Sequence, residues 1–412
     1  MNLGRVQHGH ATNIELNLLI KEFELFHTPA REGYVTMPVN GHYETWPLNS
    51  TEFNKLLARQ YSELTGAMLS KTRLQNDIRM LEGAAILNGP AHDVHLRVAE
   101  YDGRIYVDLA NDQWEVVEIT SHGYEVVTNP PVKFRRAPSM NSLPSPERGG
   151  SIDEWRPFVN IGSGTDWKLL VAFVVNAFCP RGSYPILVLQ GDYCTGKSTL
   201  TKMIRALTDP NEAPARPFPR NEEDLFVSAH HGWVLAFDNL SKLARRESDA
   251  LCRLANGTGF ATRKRYTNAT ESLLAPARSV IVNSIAEVVT QADLLDRAIV
   301  LHLPTLDRTQ RRDEQRLWQD FDAVRPRILG ALFDAVSMAL RDYDRVRIPT
   351  LPRMADFVRW ACASAPACGW CPQAFLRAYE PEQVTSDRLL DASPVVQSVL
   401  DLRSNQNGSL YW

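Results

Sequence analysis

The sequence is short of long apolar runs, and this shortage excludes a class of protein. The longest apolar run, residues 169–179, is interrupted by Asn176 and falls well short of the roughly 20 residues that a membrane-spanning helix needs. Residues 1–10 show no basic region leading into an apolar core, so we expect no secretory signal. The expectation is a soluble, cytoplasmic protein without a membrane partner.

Paired cysteines, net charge and paired acidic residues are also scarce. Of the six cysteines, only Cys368 and Cys371 have the spacing of a metal or redox pair, and no second pair or nearby histidine completes four ligands. We therefore expect reduced thiols without a metal.

The net charge of −3 means that contact with nucleic acid needs a local basic patch. No strand carries the paired acidic residues that hold two metals for nucleotidyl transfer, so we expect no primase activity.

What the sequence does have is the composition of an ordinary globular protein, with 44% hydrophobic and 23% charged residues among 412. That length allows two or three domains, each with its own core. We predict an α/β protein in three parts. These are an N-terminal helical and β-meander domain at residues 1–150, a nucleotide-binding α/β domain at residues 151–310, and a C-terminal helical region at residues 311–412.

The N-terminal part changes its hydrophobic period halfway. Residues 13–27 and 50–88 repeat apolar side chains every three or four positions, which predicts helices. Over residues 94–126 the period is two, and Asp-Gly and His-Gly pairs fall between the apolar runs. This pattern predicts a β-meander with tight turns. Residues 129–150 are rich in proline and predict the linker that ends the domain.

A phosphate-binding loop follows the first strongly apolar strand of the middle part. Residues 186–190 predict a buried strand that leads into Gly191, four further residues, and Gly196-Lys197-Ser198 at the start of a helix. The glycines let backbone N–H groups face a polyphosphate, Lys197 is expected to reach the β- and γ-phosphates of ATP, and Ser198 is expected to bind Mg²⁺. The residues expected to bind the nucleotide are Gly191, Asp192, Cys194, Thr195, Gly196, Lys197, Ser198 and Thr199.

A second apolar strand ends in an acidic residue. Residues 233–237 lead into Asp238-Asn239, which is the Walker B pattern, and in that pattern the aspartate holds Mg²⁺. Most such ATPases have glutamate where Asn239 stands, and an amide orients water without accepting its proton. Hydrolysis is therefore expected to be slow or to use an acid from residues 222–224, unless electrostatic stabilisation suffices with Asn239.

Two further side chains complete the predicted ATPase site. Residues 279–282 predict a third strand, and the amide of Asn283 at its end is expected to sense the γ-phosphate or the attacking water. Arg297, before a fourth apolar strand, is a candidate arginine finger for a neighbouring subunit. The alternative for Arg297 is an ion pair within the chain, with Asp293 or Asp296. The catalytic candidates are Lys197, Asp238, Asn239, Asn283 and Arg297, and the metal ligands are Ser198 and Asp238.

A cluster of positive charge lies between the second and third strands. Arg263, Lys264 and Arg265 are followed by Tyr266 and by turn residues, which predicts a protruding hairpin. Consecutive cations beside an aromatic ring suit the binding of single-stranded nucleic acid through its phosphates and bases. A solvated run of charge is the alternative.

Together, the P-loop, Asp238-Asn239, the basic hairpin, Asn283 and Arg297 resemble the superfamily three helicases of the AAA+ class. They look most like the primase-helicase ATPases of phages and mobile elements that are related to the poxvirus type, and the resemblance covers residues 151–310. It implies a P-loop AAA+ core that assembles as a homo-oligomeric ring, expected to be a hexamer. Such a ring binds ATP between subunits and surrounds single-stranded or forked DNA with its hairpins.

These features predict an ATP-dependent DNA helicase or translocase that uses ATP and Mg²⁺ in the replication of a phage or mobile genetic element. An ATP-dependent DNA-binding scaffold, loader or defence component would share the site without unwinding DNA, and a forked-duplex assay separates the two. A P-loop kinase of a small molecule is a third class, which would be monomeric and indifferent to DNA. The C-terminal region, mainly helical over residues 311–377, shows no chemistry of its own.

Overall fold

The computed structural model describes residues 20–258, 277–307, 309 and 311–380, and it describes the backbone alone of residues 260–263 and 271–274. Over these ranges the chain is a mixed α/β protein with a central parallel sheet. No helix in them is long and apolar enough to cross a membrane.

The N-terminal part contains a three-stranded antiparallel sheet that was not predicted from the sequence. Its elements are β1 (Glu24–His27), β2 (Gly33–Val39), β3 (His42–Pro47), α1 (Thr51–Thr65) and α2 (Lys71–Asn88). A serine caps the N-terminus of each helix, and both helices are confirmed. The prediction of a helix over residues 13–27 is wrong at Glu24–His27, because this short apolar run pairs with β2 and buries Phe26. Residues 13–19 lie outside the described residues.

A four-stranded antiparallel meander follows, as the period-two pattern predicts. The strands of this part are β4 (Val94–His95), β5 (Val98–Tyr101), β6 (Arg104–Asp108), β7 (Val116–Thr120), β8 (Gly123–Val127) and β9 (Lys133–Phe134). Strands β5 to β8 pair in chain order, and β4 pairs with β9 in parallel. Asp102 and Gly103 join β5 to β6 with φ values of 51° and 70°. Two consecutive left-handed residues form the tight turn whose twist fits a hairpin.

The proline-rich residues 129–150 have little regular structure but are tied to distant parts of the chain. The backbone N–H of Asn141 donates to the carbonyl of Pro210 at 2.9 Å, and that of Glu147 donates to the carbonyl of Pro326 at 2.9 Å. The segment is therefore held to the middle part and to the C-terminal helices. The domain boundary placed in it stays a prediction.

The middle part is built around a parallel sheet. Its elements are a 3-10 helix (Ile152–Phe158), α3 (Gly164–Asn176), β10 (Ile186–Gln190), α4 (Lys197–Thr208), α5 (Glu222–His231), β11 (Val234–Leu240), α6 (Arg245–Asn256), β12 (Phe260–Arg263), β13 (Glu271–Leu274), β14 (Ser279–Ser284), α7 (Ala292–Leu295) and β15 (Ala298–His302). The strand order is β11-β14-β10-β15 with all neighbours parallel, and β12 and β13 form a separate antiparallel pair. The carboxyl ends of β10, β11 and β14 therefore open at one edge of the sheet.

A short backbone contact continues this sheet beyond β11. The N–H of Arg216 donates to the carbonyl of Ala236 at 3.1 Å, and the N–H of Asp238 donates to the carbonyl of Arg216 at 3.0 Å. Arg216 thereby makes a parallel bridge to Phe237. The chain around Arg216 occupies the position of a fifth strand.

The C-terminal helices expected over residues 311–377 are present. They are α8 (Glu314–Asp342), α9 (Ala355–Ser364) and a helical stretch at residues 372–380. One hydrophobic core joins the meander, the parallel sheet and these helices, and it includes Val107, Leu189 and Phe333. The first sheet with α1 and α2 has its own core, which includes Met37. The meander thus packs with the parallel sheet rather than with the N-terminal helices.

Candidate nucleotide-binding site

The P-loop lies at the carboxyl end of β10, and both of its glycines are required by local geometry. Gly196 is the N-cap of α4 with a φ of 83°, and no side-chain hydrogen bond from the described part of the chain caps that helix. The first backbone N–H groups of α4 are therefore open to an anion. At Gly191 a Cβ atom would lie 2.8 Å from the carbonyl oxygen of Leu303, so no side chain fits.

Lys197 folds back over this loop. Its Nζ donates to the carbonyl oxygens of Gly191 at 2.6 Å and Asp192 at 2.7 Å, and to Thr195 Oγ1 at 3.1 Å. Burial lowers the pKa of Lys197, while the charges of Asp238 and Asp192 oppose that shift. Three uncharged oxygens hold the ammonium group, and a phosphate oxygen would bind it more strongly because it is charged.

Four polar side chains form a continuous hydrogen-bond network beside the loop. Ser198 Oγ donates to Asp238 Oδ2 at 3.1 Å, and Asn283 Nδ2 donates to Asp238 Oδ1 at 3.0 Å. Thr201 Oγ1 donates to Asn283 Oδ1 at 2.8 Å, which turns the amide N–H₂ toward Asp238. Asn283 and Thr201 are fully buried. The structure brings three predicted residues together and adds Thr201, for which the sequence carries no motif.

These groups border an open cavity of about 450 Å³. Residues 193–199 form one wall, and Asp238, Asn239 and Asn283 contribute to the other. The volume lies in the range of sites that bind small molecules. The predicted nucleotide residues therefore surround one space of suitable size.

Asn239 occupies an unusual backbone position in this wall. Its φ is 57°, and β11 loses its register with β14 at this point, between Phe237 and Leu240. Asparagine tolerates left-handed backbone better than glutamate does. The local conformation therefore gives a physical reason for an amide where most ATPases with the Walker B pattern have an acid.

The acids of residues 222–224 do not border the cavity. Among the described residues that line it, Asp238 is the one carboxylate. Glu222 forms an ion pair with Arg253, and Asp224 accepts a hydrogen bond at the start of α5. The geometry gives no support to a base from residues 222–224.

The oxygens of Ser198 and Asp238 fit a Mg²⁺ ion. Mg²⁺ takes few protein oxygens and completes its shell with water and substrate phosphates. The Ser198 hydroxyl and the Asp238 carboxylate are within hydrogen-bond distance of each other at the cavity. No group of three or more His, Cys, Asp or Glu side chains in the described residues could hold a metal ion. These two residues would therefore hold the ion together with the triphosphate, whose charge it neutralises.

Asn160 ties the P-loop to the chain that follows β15, and it was not predicted. Its Nδ2 donates to the carbonyl oxygens of Thr195 at 2.9 Å and Pro304 at 2.5 Å. The N–H of Leu306 donates to the carbonyl of Cys194 at 3.3 Å and adds a second tie. Asn160 lies in an irregular stretch before α3, where no sequence pattern marks such a contact.

Arg297 lies at the opposite edge of the parallel sheet. Its backbone carbonyl accepts a hydrogen bond at 2.9 Å from Ile186, the first residue of β10, whereas the P-loop follows the last. Its Nη1 donates to the Asp293 carbonyl at 2.5 Å and lies 2.7 Å from Asp293 Oδ1. The ion pair considered as the alternative is thus present in the chain, and the arginine-finger role stays a prediction.

The predicted basic hairpin is described only in part. Strands β12 and β13 pair in antiparallel register, with Arg263 opposite Glu271 at the end nearest the loop. Lys264, Arg265 and Tyr266 lie outside the described residues, as does the Arg263 side chain. The two strands are confirmed, and the DNA contacts stay a prediction.

The fold is similar to that of a helicase. A solved structure described as SCCmec type IV Cch, an active helicase, matches with a TM-score of 0.52 over 94% of this chain and 79% of that chain, at 13% identity. The apo structure of the NrS-1 C-terminal region covers 77% of this chain and 68% of that chain, with a TM-score of 0.45 and 12% identity. At 13% identity the likeness to the helicase concerns the fold alone. No curated protein sequence matches the chain.

The sequence assigns the chain to a protein family. The family model of the actinomycete integrative conjugative element replication protein matches residues 152–381, more than half of the 412 residues. This chain belongs to that family, and a role in the replication of a mobile element follows. The resemblance to mobile-element replication proteins, drawn from the motifs, is confirmed at this level.

Proposed function

We propose that this chain is an ATP-dependent DNA helicase or translocase that works as a ring in the replication of its mobile element. One observation carries the proposal: Ser198, Asp238 and Asn283 converge at a single cavity beside a helix N-terminus that no described side chain caps. A triphosphate needs these groups together, because its phosphates require N–H donors and a lysine and its Mg²⁺ requires oxygen ligands.

Each site residue has a role in this proposal. Lys197 exchanges its loop oxygens for the β- and γ-phosphates, and Ser198 and Asp238 hold Mg²⁺. Asn283 donates to the γ-phosphate or orients the attacking water. Because Asn239 cannot accept the proton of that water, electrostatic stabilisation of the transferred phosphoryl group carries the reaction, and turnover is slow.

The strand order supports an AAA+ core of the superfamily three kind. Strand β14, which ends in Asn283, lies between the P-loop strand β10 and the Asp238 strand β11. A sensor amide in that position reaches both nucleotide elements. The bridge at Arg216 supports a five-stranded version of the same sheet.

A ring is proposed because Arg297 is far from the P-loop of its own chain. The two lie at opposite ends of five-residue strands, and a strand of that length spans roughly 17 Å. In a ring the edge with Arg297 would face the cavity of the next subunit, where the guanidinium would stabilise charge on the γ-phosphate. A hexamer is the expected form.

The hairpin between β12 and β13 is proposed as the DNA contact. It precedes the amino end of β14, so its base lies at the same sheet edge as Arg297. Arg263, Lys264 and Arg265 would bind phosphates, and Tyr266 would stack on a base of single-stranded DNA. Their shared edge would couple the DNA contact to the state of the neighbouring nucleotide.

The proposal is tested by three measurements on the full chain. We expect single-stranded DNA to stimulate ATP hydrolysis, the mass to rise to that of a hexamer with ATP and DNA, and a forked duplex to be unwound. A particle that stays monomeric under every nucleotide and DNA condition would overturn the ring. ATPase and ring formation without unwinding would favour the scaffold instead.

The hairpin has its own test. Replacing Arg263, Lys264 and Arg265 together by Ala should weaken single-stranded DNA binding and flatten its dependence on salt, because fewer counterions are released. ATP binding without DNA should be retained. Unchanged DNA affinity would remove the hairpin from the mechanism.

An ATP-dependent DNA-binding scaffold or loader is the second candidate. It is favoured by one observation, that Asp238 is the one acid among the described residues lining the cavity. An ATPase without a general base suits a protein that assembles on ATP and releases slowly. Strand displacement on a forked duplex separates this candidate from the helicase.

A further inference from the structure

Arg353, from the segment between α8 and α9, reaches the carboxylate that holds Arg297. Its Nη2 donates to Asp293 Oδ1 at 2.5 Å, and its Nη1 donates to Asp296 Oδ2 at 2.8 Å. The same Asp293 Oδ1 lies 2.7 Å from Arg297 Nη1. One carboxylate oxygen is therefore shared by two guanidinium groups.

The four side chains form a cluster without net charge. The hydrogen bond from Arg297 is the first cause of a lowered pKa at Asp293, so that carboxyl is ionised at neutral pH. The exposed fraction is 11% for the Arg297 side chain and 44% for that of Arg353. Arg297 is thus the inner cation of the cluster, and Arg353 is the outer one.

We propose that Arg353 is a positioning residue that determines how readily Arg297 leaves Asp293 for the triphosphate of the next subunit. This rests on the arginine-finger role proposed for Arg297. Arg353 bridges Asp293 and Asp296, so both carboxylates keep a counter-ion after Arg297 has moved. The departure of Arg297 then leaves one uncompensated negative charge instead of two.

Removing Arg353 would strengthen the contact between Arg297 and Asp293. The cluster would then hold two carboxylates and a single cation, and it would carry a net charge of −1. Coulomb attraction at these short separations would hold Arg297 where it is. Fewer Arg297 side chains would reach the neighbouring nucleotide, and turnover would slow without a change in ATP binding at the other edge of the sheet.

The first test is steady-state ATPase kinetics of the full chain with single-stranded DNA. Arg353→Ala should lower kcat by about tenfold or more, because misplacing a catalytic contact by a small distance costs this much. The KM for ATP should change little. The matched control is Arg345→Ala, an exposed arginine paired with Asp342 in the same region, which should leave kcat unchanged. Wild-type kcat in Arg353→Ala would overturn the proposal.

A second substitution distinguishes positioning from a structural role. Adding Asp293→Asn to Arg353→Ala removes the competing charge, and kcat should return to within about threefold of wild type. A purely structural bridge predicts the reverse, since the second change removes another contact, and a kcat at or below that of Arg353→Ala would overturn the proposal.

A milder variant serves as a control for misfolding. Arg353→Gln keeps hydrogen-bond donors but no charge, and it should slow turnover and be rescued by Asp293→Asn in the same way. If both Arg353 variants lose ATP binding, the residue is structural and the proposal fails.

Mixed rings separate this inference from the finger assignment. Subunits with Lys197→Ala keep Arg297, and subunits with Arg297→Ala keep an intact P-loop, so mixing them should restore ATPase activity. No restoration would refute the arginine finger itself. Adding Arg353→Ala to the Lys197→Ala subunits should lower the restored activity about tenfold or more, whereas adding it to the Arg297→Ala subunits should leave that activity unchanged. The opposite pattern would refute the positioning role alone.

Discussion

The carboxyl edge of the parallel sheet, where its strands end, and the amino edge, where they begin, differ in how their charged groups are paired. At the carboxyl edge, Lys197 is held by uncharged oxygens, and the N-terminus of α4 has no side-chain cap among the described residues. At the amino edge, charged groups are already matched within the chain: Arg297 meets Asp293, and the buried Asp209 accepts hydrogen bonds from two arginines. Unmatched donors at the carboxyl edge favour an anionic ligand, whereas these cations of the amino edge already have carboxylate partners within the chain.

The buried Asp209 shows how complete the matching is at the amino edge. Besides Arg97 Nε at 3.1 Å and Arg205 Nη1 at 2.9 Å, it accepts the N–H groups of Trp233 at 2.9 Å and Val234 at 3.1 Å. Burial disfavours its charge, but the two arginines and the N–H groups lower its pKa. The far end of the P-loop helix is thereby locked to the meander and to β11.

The largest expected effect lies at the carboxyl edge. Lys197→Ala removes the charge that would meet the β- and γ-phosphates, and ATP hydrolysis should fall at least about 100-fold. Phosphate release under steady-state conditions measures this. Lys202→Ala, on the same helix and paired at 3.6 Å with Glu314, is the matched control and should keep wild-type turnover. Equal losses in both variants would show that the cavity is not the ATPase site.

At the amino edge, the next largest effect is on stability. Arg97→Met leaves Asp209 buried with one arginine instead of two and also removes donors to two backbone carbonyls. The free energy of unfolding should fall by about 3–5 kcal/mol. Urea denaturation measures it. Arg104→Met, in the half-exposed pair with Glu118 of the same meander, should cost much less, because solvent screens that pair. Equal losses in the free energy of unfolding would mean that the buried network stabilises the fold no more than the half-exposed pair does.

A smaller effect is expected from the orientation of Asn283. Thr201→Val deletes the hydroxyl that faces Asn283 Oδ1, so the amide no longer points in a single direction. ATP turnover should fall about tenfold, as is usual when a group that orients a site residue is removed. Thr201→Ser keeps the hydroxyl and should retain turnover. Loss in both variants would assign Thr201 to packing alone.

The smallest effect concerns acid sensitivity at the amino edge. Burial, together with the charges of Arg135 and His231, lowers the pKa of His230 to about 3. The unfolded chain therefore binds this proton more tightly, and the stability from neutral His230 is present above about pH 6.5 and lost as the pH falls toward about 3.

His230→Gln should reduce this loss. Thermal melts from pH 7.5 to 4.5 should show a smaller decline in Tm than in wild type. His122→Gln, at an exposed turn, should give a curve parallel to wild type. Parallel curves for all three proteins would contradict a partly buried, neutral His230.

Much of the carboxyl edge was predictable from the sequence because its sequence signals are local. The P-loop, the strand ending in Asp238 and the strand ending in Asn283 each depend on neighbouring residues, and parallel strands bring their carboxyl ends together. Asn160, Thr201 and Arg353 were not predictable. Each acts through a contact to a residue that is distant in the sequence or through one hydroxyl on a helix face, and such contacts leave no period or motif.

The first antiparallel sheet was missed for a related reason. Glu24–His27 is too short for its hydrophobic period to distinguish a strand from a helix, and its pairing with β2 decides the outcome. The meander was predicted as part of an N-terminal domain, but no local pattern shows that its core is shared with the parallel sheet. Packing partners are a property of the folded chain.

By itself the sequence indicated most of the elements of this protein and the polar residues at the ends of its parallel strands, because hydrophobic period, glycine spacing and strand-terminal polar residues are short-range properties. Only the tertiary structure decided which charges meet. It paired Asp293 with both Arg297 and Arg353 and left Lys197 in contact with uncharged oxygens, because the cost of burying a charge depends on groups brought close by folding.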